Sequence, residues 1–408
     1  MTRSGRLGQY LSAAVVAALA LLVSPIGIRL ATGRADLSFR VNAVSIVLAL
    51  FLVAILGALL TRARLRHAFF ILILCLFPLA AAAGVEAVAI AARLADRIAP
   101  LEDDSILANR RDWPGYLMSD ARWQPGTRLY RPWEGPGISI NALGLRTAPP
   151  TPKRPGEWRV AVTGGSAVWG WRVFDADTIP GQLARLIAAE HPEVTVYNFG
   201  IEGATIAQEL SVLRQFRETY GIDQVIFYTG ANDIFGLYLD VAGGKKERFD
   251  AVSGLTSFEL VKTAARFVQS LSDPSPAVVA EMEDKVRSRV RDNNPLRAGL
   301  VAADEYCRRT GLRCDFVLQP LLFTRAHPVG PERRLVQMFR RLYPGFEVAA
   351  HAMYRDALSA LPAGRIHDLS GIFDNVAEPL LMDNVHLNER GNQIAAARLA
   401  DTVTVGPE

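Results

Sequence analysis

Ser166 lies in a stretch whose residue types could perform chemistry. It follows the apolar, β-branched run Trp158–Thr163 and two glycines, and residues that can open a helix come after it. A serine in such a strand-to-helix turn exposes its hydroxyl beside backbone N–H groups that stabilise an anion. The same residues also fit a glycine turn in which the serine only caps a helix. A catalytic role for Ser166 therefore depends on partners elsewhere in the chain.

Asp383 and His386 could be those partners. They form a D-x-x-H pair near the end of the chain, after an apolar run at 365–368 and before a predicted helix at 392–403. His386 could remove the proton from Ser166, while Asp383 orients the imidazole and stabilises its charged form. A D-x-x-H pair alone is common in surface turns, so it becomes informative only in combination with the serine.

Strand and helix patterns alternate through the rest of the chain, which predicts an α/β fold with a central parallel sheet and helices on both faces. Ligands in such sheets collect at the carboxyl ends of the strands. Gly203 and Asn232 follow the second and third predicted strands. The backbone N–H groups of Ser166 and Gly203, with the Asn232 side-chain amide, could therefore form an oxyanion hole. The predicted strands lie at 158–163, 194–197, 224–229, 314–318 and 365–368, and the main helices at 178–189, 205–220 and 392–403.

Four sequence blocks, GGS, N-x-G-x-x-G, G-A-N-D and D-x-x-H, resemble the SGNH/GDSL hydrolase superfamily in identity, order and spacing. The resemblance covers roughly residues 138–405 and implies a three-layer α/β/α, flavodoxin-like domain that hydrolyses esters. It also implies a role for each block residue: Ser166 as nucleophile, Asp383 and His386 as the rest of the triad, and Ser166, Gly203 and Asn232 as oxyanion donors.

Two further features bear on this resemblance. Gly165 stands where the name-giving motif has aspartate, a position outside the triad. The element Ile140–Arg146 is similar to one that often precedes the first block in extracytoplasmic members. No C-x-x-C or histidine-rich pattern is present, so we expect neither a metal nor a cofactor.

Three uncharged runs near the N-terminus, Leu7–Ile28, Val41–Leu60 and Ala68–Val85, are each about long enough to cross a membrane as a helix. Pro25 lies within the first run, where neighbouring helices could tolerate it. We therefore predict a transmembrane region over residues 1–97, with helices near 7–28, 41–60 and 68–92. A linker over 98–137 and the hydrolase domain over 138–408 follow, with a helical insertion near 237–297.

The arginine distribution sets the expected orientation. Residues 1–67 contain eight arginines and one acid, which accounts for the basic balance of the whole chain and argues against a nucleic-acid partner. The densest cluster, Thr61–His67, should lie in the cytoplasm. The protein is thus predicted to be a multi-pass protein of the inner (cytoplasmic) membrane, with its catalytic domain on the periplasmic or extracellular side.

The predicted function is a serine esterase that removes acyl groups, acetyl above all, from a small molecule or polysaccharide outside the membrane. One alternative is an O-acyltransferase that modifies a cell-surface polysaccharide, because the same triad would serve both reactions. Another is a catalytically silent glycan-binding protein of the cell envelope.

Some side chains have two possible roles. Cys307 and Cys314 could form a disulfide or remain free thiols, and Trp169 and Trp171 could line the cleft or pack in the core. Asp233 is expected to brace its loop. One predicted active-edge loop carries two residues that could touch substrate, namely Arg325 and His327.

Overall fold

A computed structural model describes residues 3–32, 39–60, 63–92, 106, 117, 122–124, 127–243 and 273–406 of the chain. These residues belong to two compact units, one built from the N-terminal 99 residues and one from residues 122–245 and 272–408 with short additional pieces. Residues 244–272, the central part of the predicted helical insertion, lie outside the described residues.

The N-terminal unit is helical. Its helices are α1 (Arg3–Val23), α2 (Pro25–Thr32), α3 (Phe39–Leu60) and α4 (Ala63–Ala92). Helices α3 and α4 approach closely at Gly57, where a β-carbon would lie only 2.3 Å from the Phe69 ring. Few of their residues are buried inside this unit.

Two of these helices contain segments that are long and apolar enough to cross a membrane, namely Asn42–Leu60 and His67–Glu86. The expected first span, 7–28, is not one continuous helix. Pro25 lacks a backbone N–H and begins a new helix, so α1 ends at Val23 and leaves the shorter apolar segment Ser12–Val23. The prediction that a helix would accommodate Pro25 is therefore wrong.

The C-terminal unit is built on a five-stranded, fully parallel sheet with the spatial order β4-β3-β5-β6-β7. This is the flavodoxin-like order, in which the first strand of the sheet lies between the second and the third. A separate antiparallel hairpin, β1–β2, precedes the sheet. The strands are β1 (Trp133–Gly135), β2 (Ile138–Ile140), β3 (Trp158–Gly164), β4 (Val194–Gly200), β5 (Gln224–Thr229), β6 (Arg313–Leu318) and β7 (Ile366–Asp368).

Helices flank this sheet in two groups. One pair, α6 and α13, packs together, and a second group comprises α7, α8, α9, α10 and α12. The helices of the C-terminal unit are α5 (Ser166–Trp169), α6 (Ile179–Ala188), α7 (Ile206–Tyr220), α8 (Ala231–Val241), α9 (Pro276–Asp292), α10 (Pro295–Thr310), α11 (Pro331–Leu342), α12 (Phe346–Leu358) and α13 (Glu389–Thr402).

Local sequence explains where these elements begin and why the sheet is central. All six residues of β5 are buried, as expected of a strand covered on both faces. Helix α7 starts at a capping box, in which the Gln208 side chain accepts a hydrogen bond from the Thr205 N–H at 3.0 Å. The Asn388 side chain accepts a bond from the Gly391 N–H at 2.8 Å and caps α13.

The predicted α/β class, parallel sheet and order of strands and helices are confirmed. Among the helices of this unit, α8, α11 and α12 were not predicted. Cys307 in α10 and Cys314 in β6 form a disulfide, which resolves the two possibilities left by the sequence.

Candidate active site

Ser166 lies at the carboxyl end of β3, in the middle of the sheet. Gly165, and not Ser166, occupies the N-cap position of α5, so the helix-capping interpretation of this serine is wrong. Helix α5 has only four residues and ends at Gly170, whose φ of 91° lies in the left-handed region that glycine tolerates. The tight turn leaves the Ser166 side chain partly exposed above the sheet.

The structure brings Ser166, His386 and Asp383 together. The His386 Nε2 atom lies 2.7 Å from the Ser166 Oγ, and the His386 Nδ1 atom lies 2.5 Å from the Asp383 Oδ2. The second carboxylate oxygen of Asp383 accepts hydrogen bonds from the N–H groups of Val385 and His386, both at 2.7 Å. A histidine between a hydroxyl and a carboxylate can take a proton from the hydroxyl and hold it as imidazolium.

Asp383 is suited to remain ionised. Burial alone would raise the pKa of its carboxyl. The charge of His386 and the hydrogen bonds from His386 and Val385 outweigh burial and keep that pKa below the usual value. The carboxylate is therefore available at neutral pH to stabilise a positive charge on His386.

The predicted oxyanion donors follow three adjacent strands, and the Asn232 amide lies close to the turn before Ser166. Neither the Ser166 N–H nor the Gly203 N–H has a hydrogen-bond acceptor among the described residues. The Asn232 side-chain amide donates one hydrogen to the Ala204 carbonyl at 2.9 Å, which leaves its second hydrogen for another acceptor. Three N–H donors at one edge of a sheet can bind a negatively charged oxygen.

The structure shows why position 165 is a glycine, which the sequence did not reveal. A β-carbon at this position would lie 2.2 Å from the Asn232 Nδ2 atom, so any side chain there would displace the amide as it now lies. The departure from the aspartate of the name-giving motif thus accompanies a close approach of Asn232 to the nucleophile turn.

Asp233 braces the site from below, in agreement with its expected role. Its carboxylate accepts a hydrogen bond from the Ile206 N–H at 3.1 Å and so joins the start of α8 to the start of α7. Burial raises the pKa of Asp233 to about 7. Burial also raises the pKa of Glu209, and the nearby charge of Asp233 adds a smaller increase. The Glu209 carboxyl accepts a hydrogen bond from the Thr229 hydroxyl at 2.9 Å.

The two tryptophans near the nucleophile have different environments. Trp169 is fully buried and stacks on Tyr130 with ring centroids 4.8 Å apart. Trp171 is partly exposed, and its ring centroid lies 5.7 Å from that of His386. Trp171 therefore lines the site, whereas Trp169 packs in the core.

Sequence patterns did not single out two arginines that contact the nucleophile side of the site. Arg128 donates to the Gly203 carbonyl at 2.9 Å from an exposed position. Arg146 is buried and donates to the carbonyls of Trp169, Gly170 and Val173 at 3.1, 2.7 and 2.6 Å. Arg146 belongs to the element noted before the first block, which was the only available signal.

Arg325 and His327 lie in different surroundings from each other. Arg325 is buried and forms an ion pair with Glu332, so it is not positioned to touch substrate. His327 is exposed. Within the described residues, no group of three or more His, Cys, Asp or Glu side chains is arranged to hold a metal ion.

An α/β domain that presents a serine at the end of a central strand, hydrogen-bonded to histidine, has the arrangement of a serine hydrolase. The model of the GDSL-like Lipase/Acylhydrolase family matches residues 162–394, which is more than half of the chain. The protein therefore belongs to this family of ester-hydrolysing enzymes, and the predicted superfamily and enzyme class are confirmed. No curated protein sequence matches the chain.

Several solved structures resemble the domain at low identity. LAE5, an alpha/beta hydrolase enzyme from the metagenome of Lake Arreo, Spain, has 17% identity, covers 60% of this chain and 94% of its own, and has a TM-score of 0.33. The acetyl xylan esterase AlAXEase has 12% identity, coverage of 60% and 99%, and a TM-score of 0.31. A catalytic mutant of Axe2, an acetylxylan esterase from Geobacillus stearothermophilus, has 16% identity, coverage of 62% and 96%, and a TM-score of 0.32.

Proposed function

We propose that this protein is a serine esterase that hydrolyses acyl esters, acetyl esters in particular, through Ser166, His386 and Asp383. The observation that carries this proposal is the continuous chain of contacts from the Ser166 hydroxyl through both ring nitrogens of His386 to the Asp383 carboxylate, at 2.7 and 2.5 Å. Such a chain activates a hydroxyl that would otherwise be a weak nucleophile.

The reaction follows from these contacts. The Ser166 oxygen attacks the ester carbonyl carbon while its proton passes to His386 Nε2. The tetrahedral intermediate collapses to an acyl-enzyme, and His386 gives the proton to the leaving alkoxide. Water then attacks the acyl-enzyme with His386 as base again, which releases the acid and restores the serine.

The carbonyl oxygen becomes negatively charged in both tetrahedral intermediates. The N–H groups of Ser166 and Gly203 and the second amide hydrogen of Asn232 are the donors assigned to it. Since these donors are fixed by the folded sheet edge before substrate binds, they stabilise the intermediate without reorganising.

We assign a sugar as the alcohol component of the substrate ester. His386 must lie beside the leaving oxygen in order to protonate it, so the leaving group passes the partly exposed ring of Trp171. A flat aromatic face can stack on the apolar face of a pyranose. An acylated small molecule or polysaccharide fits this arrangement.

We further propose that the enzyme is a multi-pass protein of the inner membrane with its catalytic unit on the outer side. The apolar segments Asn42–Leu60 and His67–Glu86 support membrane insertion. The arginines of the intervening connection favour its retention in the cytoplasm. The Cys307–Cys314 disulfide is typical of a domain exposed to an oxidising compartment.

The test uses the full chain in detergent with an aryl acetate substrate and a fluorophosphonate probe that labels activated serines. Ser166→Ala should abolish labelling and reduce turnover by at least about 10³-fold. Ser211→Ala is the matched control, because Ser211 is an exposed serine on α7 that bonds only its own helix. Unchanged turnover and labelling in Ser166→Ala would mean that neither arises from Ser166 and would overturn the proposed serine esterase, whereas absence of both in the wild-type protein would favour the silent glycan-binding alternative.

Hydrolysis is separated from acyl transfer by the fate of the acetyl group. The same reaction is run with and without oligosaccharide acceptors, and both free acetate and acetylated sugar are measured. Acetate as the main product with acceptor present supports an esterase. Acetylated sugar formed at the expense of acetate would contradict it and favour the O-acyltransferase.

A further inference from the structure

Asp383 and His386 lie in a short loop that is closed at its base. We call residues Leu380–Asn388 the Asp–His loop. Its two ends are joined by hydrogen bonds from the Asn388 N–H to the Leu380 carbonyl at 2.9 Å and from the Met382 N–H to the His386 carbonyl at 2.8 Å. These bonds set the loop's internal shape, but they do not fix its position relative to Ser166.

A buried ion pair attaches the base of the Asp–His loop to α11. The Glu332 Oε1 atom accepts hydrogen bonds from the N–H groups of Leu380 and Leu381 at 2.8 and 3.0 Å. Arg325 donates to both Glu332 oxygens at 2.6 and 2.7 Å. Both side chains of the pair are completely shielded from solvent.

Arg325 extends the attachment along the chain that leads to the loop. Its second terminal nitrogen donates to the carbonyls of Val376 and Glu378 at 2.5 and 3.1 Å. The ion pair therefore holds both donors and acceptors of the segment from Val376 to Leu381, immediately before Asp383.

We propose that Glu332, held by Arg325, is a positioning residue that fixes His386 at hydrogen-bonding distance from Ser166. This inference rests on the triad proposed above. Glu332 does not touch substrate. It acts through the backbone of Leu380 and Leu381, three and two residues before Asp383.

The full charge of Glu332 is needed for this role. Its two oxygens accept from Arg325, from Leu380 and Leu381, and from the Val329 N–H at 3.0 Å. Glutamine has the same shape but only one acceptor oxygen. Its NH₂ group would face the N–H donors of Arg325 and Val329, or else those of the loop, and donor cannot bond to donor. Glu332→Gln should thus break the attachment either at Arg325 and Val329 or at the loop base.

A positioning role must be separated from a contribution to folding alone. Glu157 provides a matched control, because it is also a buried carboxylate paired with arginine. It accepts from Arg159 at 2.8 Å and from the backbone N–H of Arg154 at 2.9 Å. This pair lies at the opposite end of β3 from Ser166. Glu157→Gln should therefore destabilise the fold without moving the triad.

The experiment compares Glu332→Gln and Glu157→Gln in the full chain, with Tm, kcat and KM for an aryl acetate and the rate of fluorophosphonate labelling. Displacement of a catalytic group by about 1 Å can cost about 10²-fold in rate. We expect Glu332→Gln to lose about that factor in kcat and labelling rate with KM unchanged. Glu157→Gln should show a comparable fall in Tm with kcat close to the wild-type value.

A second variant covers the case in which Glu332→Gln fails to fold. Replacing both partners of a buried ion pair by apolar residues often leaves stability unchanged. The double variant Arg325→Met/Glu332→Met should remain folded, yet it lacks the acceptor for the loop N–H groups, so its kcat should fall by a similar factor.

Two results would overturn the inference. One is a folded Glu332 variant whose kcat lies within about twofold of wild type, well inside the 10²-fold loss expected for a displaced group. The other is an equal loss of kcat in Glu157→Gln. If Ser166→Ala is inactive while the Glu332 variant is fully active, only this inference fails. If Ser166→Ala remains active, the proposed triad fails with it.

Discussion

The two halves of the active site are held in place by different means. Ser166, Gly203 and Asn232 follow β3, β4 and β5, three adjacent strands of one parallel sheet. The backbone ladder of the sheet therefore sets their separation. Asp383 and His386 belong to a loop that no strand of this sheet enters directly, and a buried ion pair ties that loop to a helix.

This difference predicts that substitutions in the two halves affect the geometry of the active site differently. A side chain positioned by a sheet edge can lose one contact and stay where it is, because many backbone bonds define its place. The Asp–His loop has fewer attachments: the Leu322 N–H donates to the Asn384 carbonyl at 3.0 Å, and Glu332 holds the loop base. We call Ser166, Gly203 and Asn232 the serine half, and Asp383 and His386 the histidine half. A substitution in the serine half should remove only the function of the altered side chain. A substitution in the attachment of the histidine half should displace its catalytic side chains.

After loss of Ser166 itself, the largest effect expected in the serine half is that of Asn232→Ala. Loss of one oxyanion donor typically lowers kcat by about 10²–10³-fold. Because the sheet holds Ser166 and Gly203 in place, KM should change little and Tm should change less than in Glu332→Gln. Steady-state kinetics with an aryl acetate and a thermal melt measure both.

The control for Asn232→Ala is Asn293→Ala, which removes an exposed amide at the end of α9. A large increase in KM, or an equal loss in the control, would mean that Asn232 does not act on the intermediate and would weaken the comparison.

The residues and position of the serine half could largely be predicted from the sequence. A β-branched run, glycines and a serine specify a buried strand and a tight turn, and these signals are local. Gly203 and Asn232 could be added because parallel strands bring their carboxyl ends together. The pairing of His386 with Ser166, 220 residues away, could be proposed from residue types, and the family resemblance supported it.

The attachment of the histidine half could not be predicted in the same way. Glu332 follows Pro331 in the first turn of a helix, where an acid is ordinarily explained by the helix dipole and solvent exposure. Its complete burial depends on Arg325 and on a loop that is about 50 residues away in the sequence. Such partners become evident only in the folded structure.

Arg146→Lys tests whether the serine half withstands loss of its own clamp. Lysine keeps the charge but loses the guanidinium fork that binds three carbonyls. The clamp spans Arg172, whose φ of 65° is unfavourable for a residue other than glycine. Loss of hydrogen bonds to a charged group should cost about 2–4 kcal/mol of stability.

Turnover should be affected less than stability in Arg146→Lys, because β3 and Gly165 still define the position of Ser166. Chemical unfolding and aryl-acetate kinetics are measured on the same preparation. A loss of kcat larger than that of Glu332→Gln would reverse the comparison between the two halves.

The effect with the smallest consequence for turnover concerns the pH dependence of stability, in which the two halves should have opposite signs. In the serine half, the folded-state pKa of Asp233 is raised to about 7, above the ordinary value near 3.9. The folded state then binds more protons than the unfolded state between these values, so stability falls as pH rises from about 4 to 7. In the histidine half, the pKa of Asp383 is lowered, so its contribution is present at neutral pH and lost as pH falls.

Asp233→Asn measures the contribution of the serine half to the pH dependence of stability. Asparagine keeps an oxygen for the Ile206 N–H but stays neutral, so the variant should lose part of the decline in stability between pH 4 and 7. The slope from one group is at most about 1.4 kcal/mol per pH unit, and Glu209, which also has a raised pKa, keeps a remainder of the same sign. Unfolding free energies across this range, with the exposed Asp284→Asn as control, give the measurement. An unchanged slope in Asp233→Asn would mean that this carboxyl is ionised throughout and that the serine half carries no such opposing term.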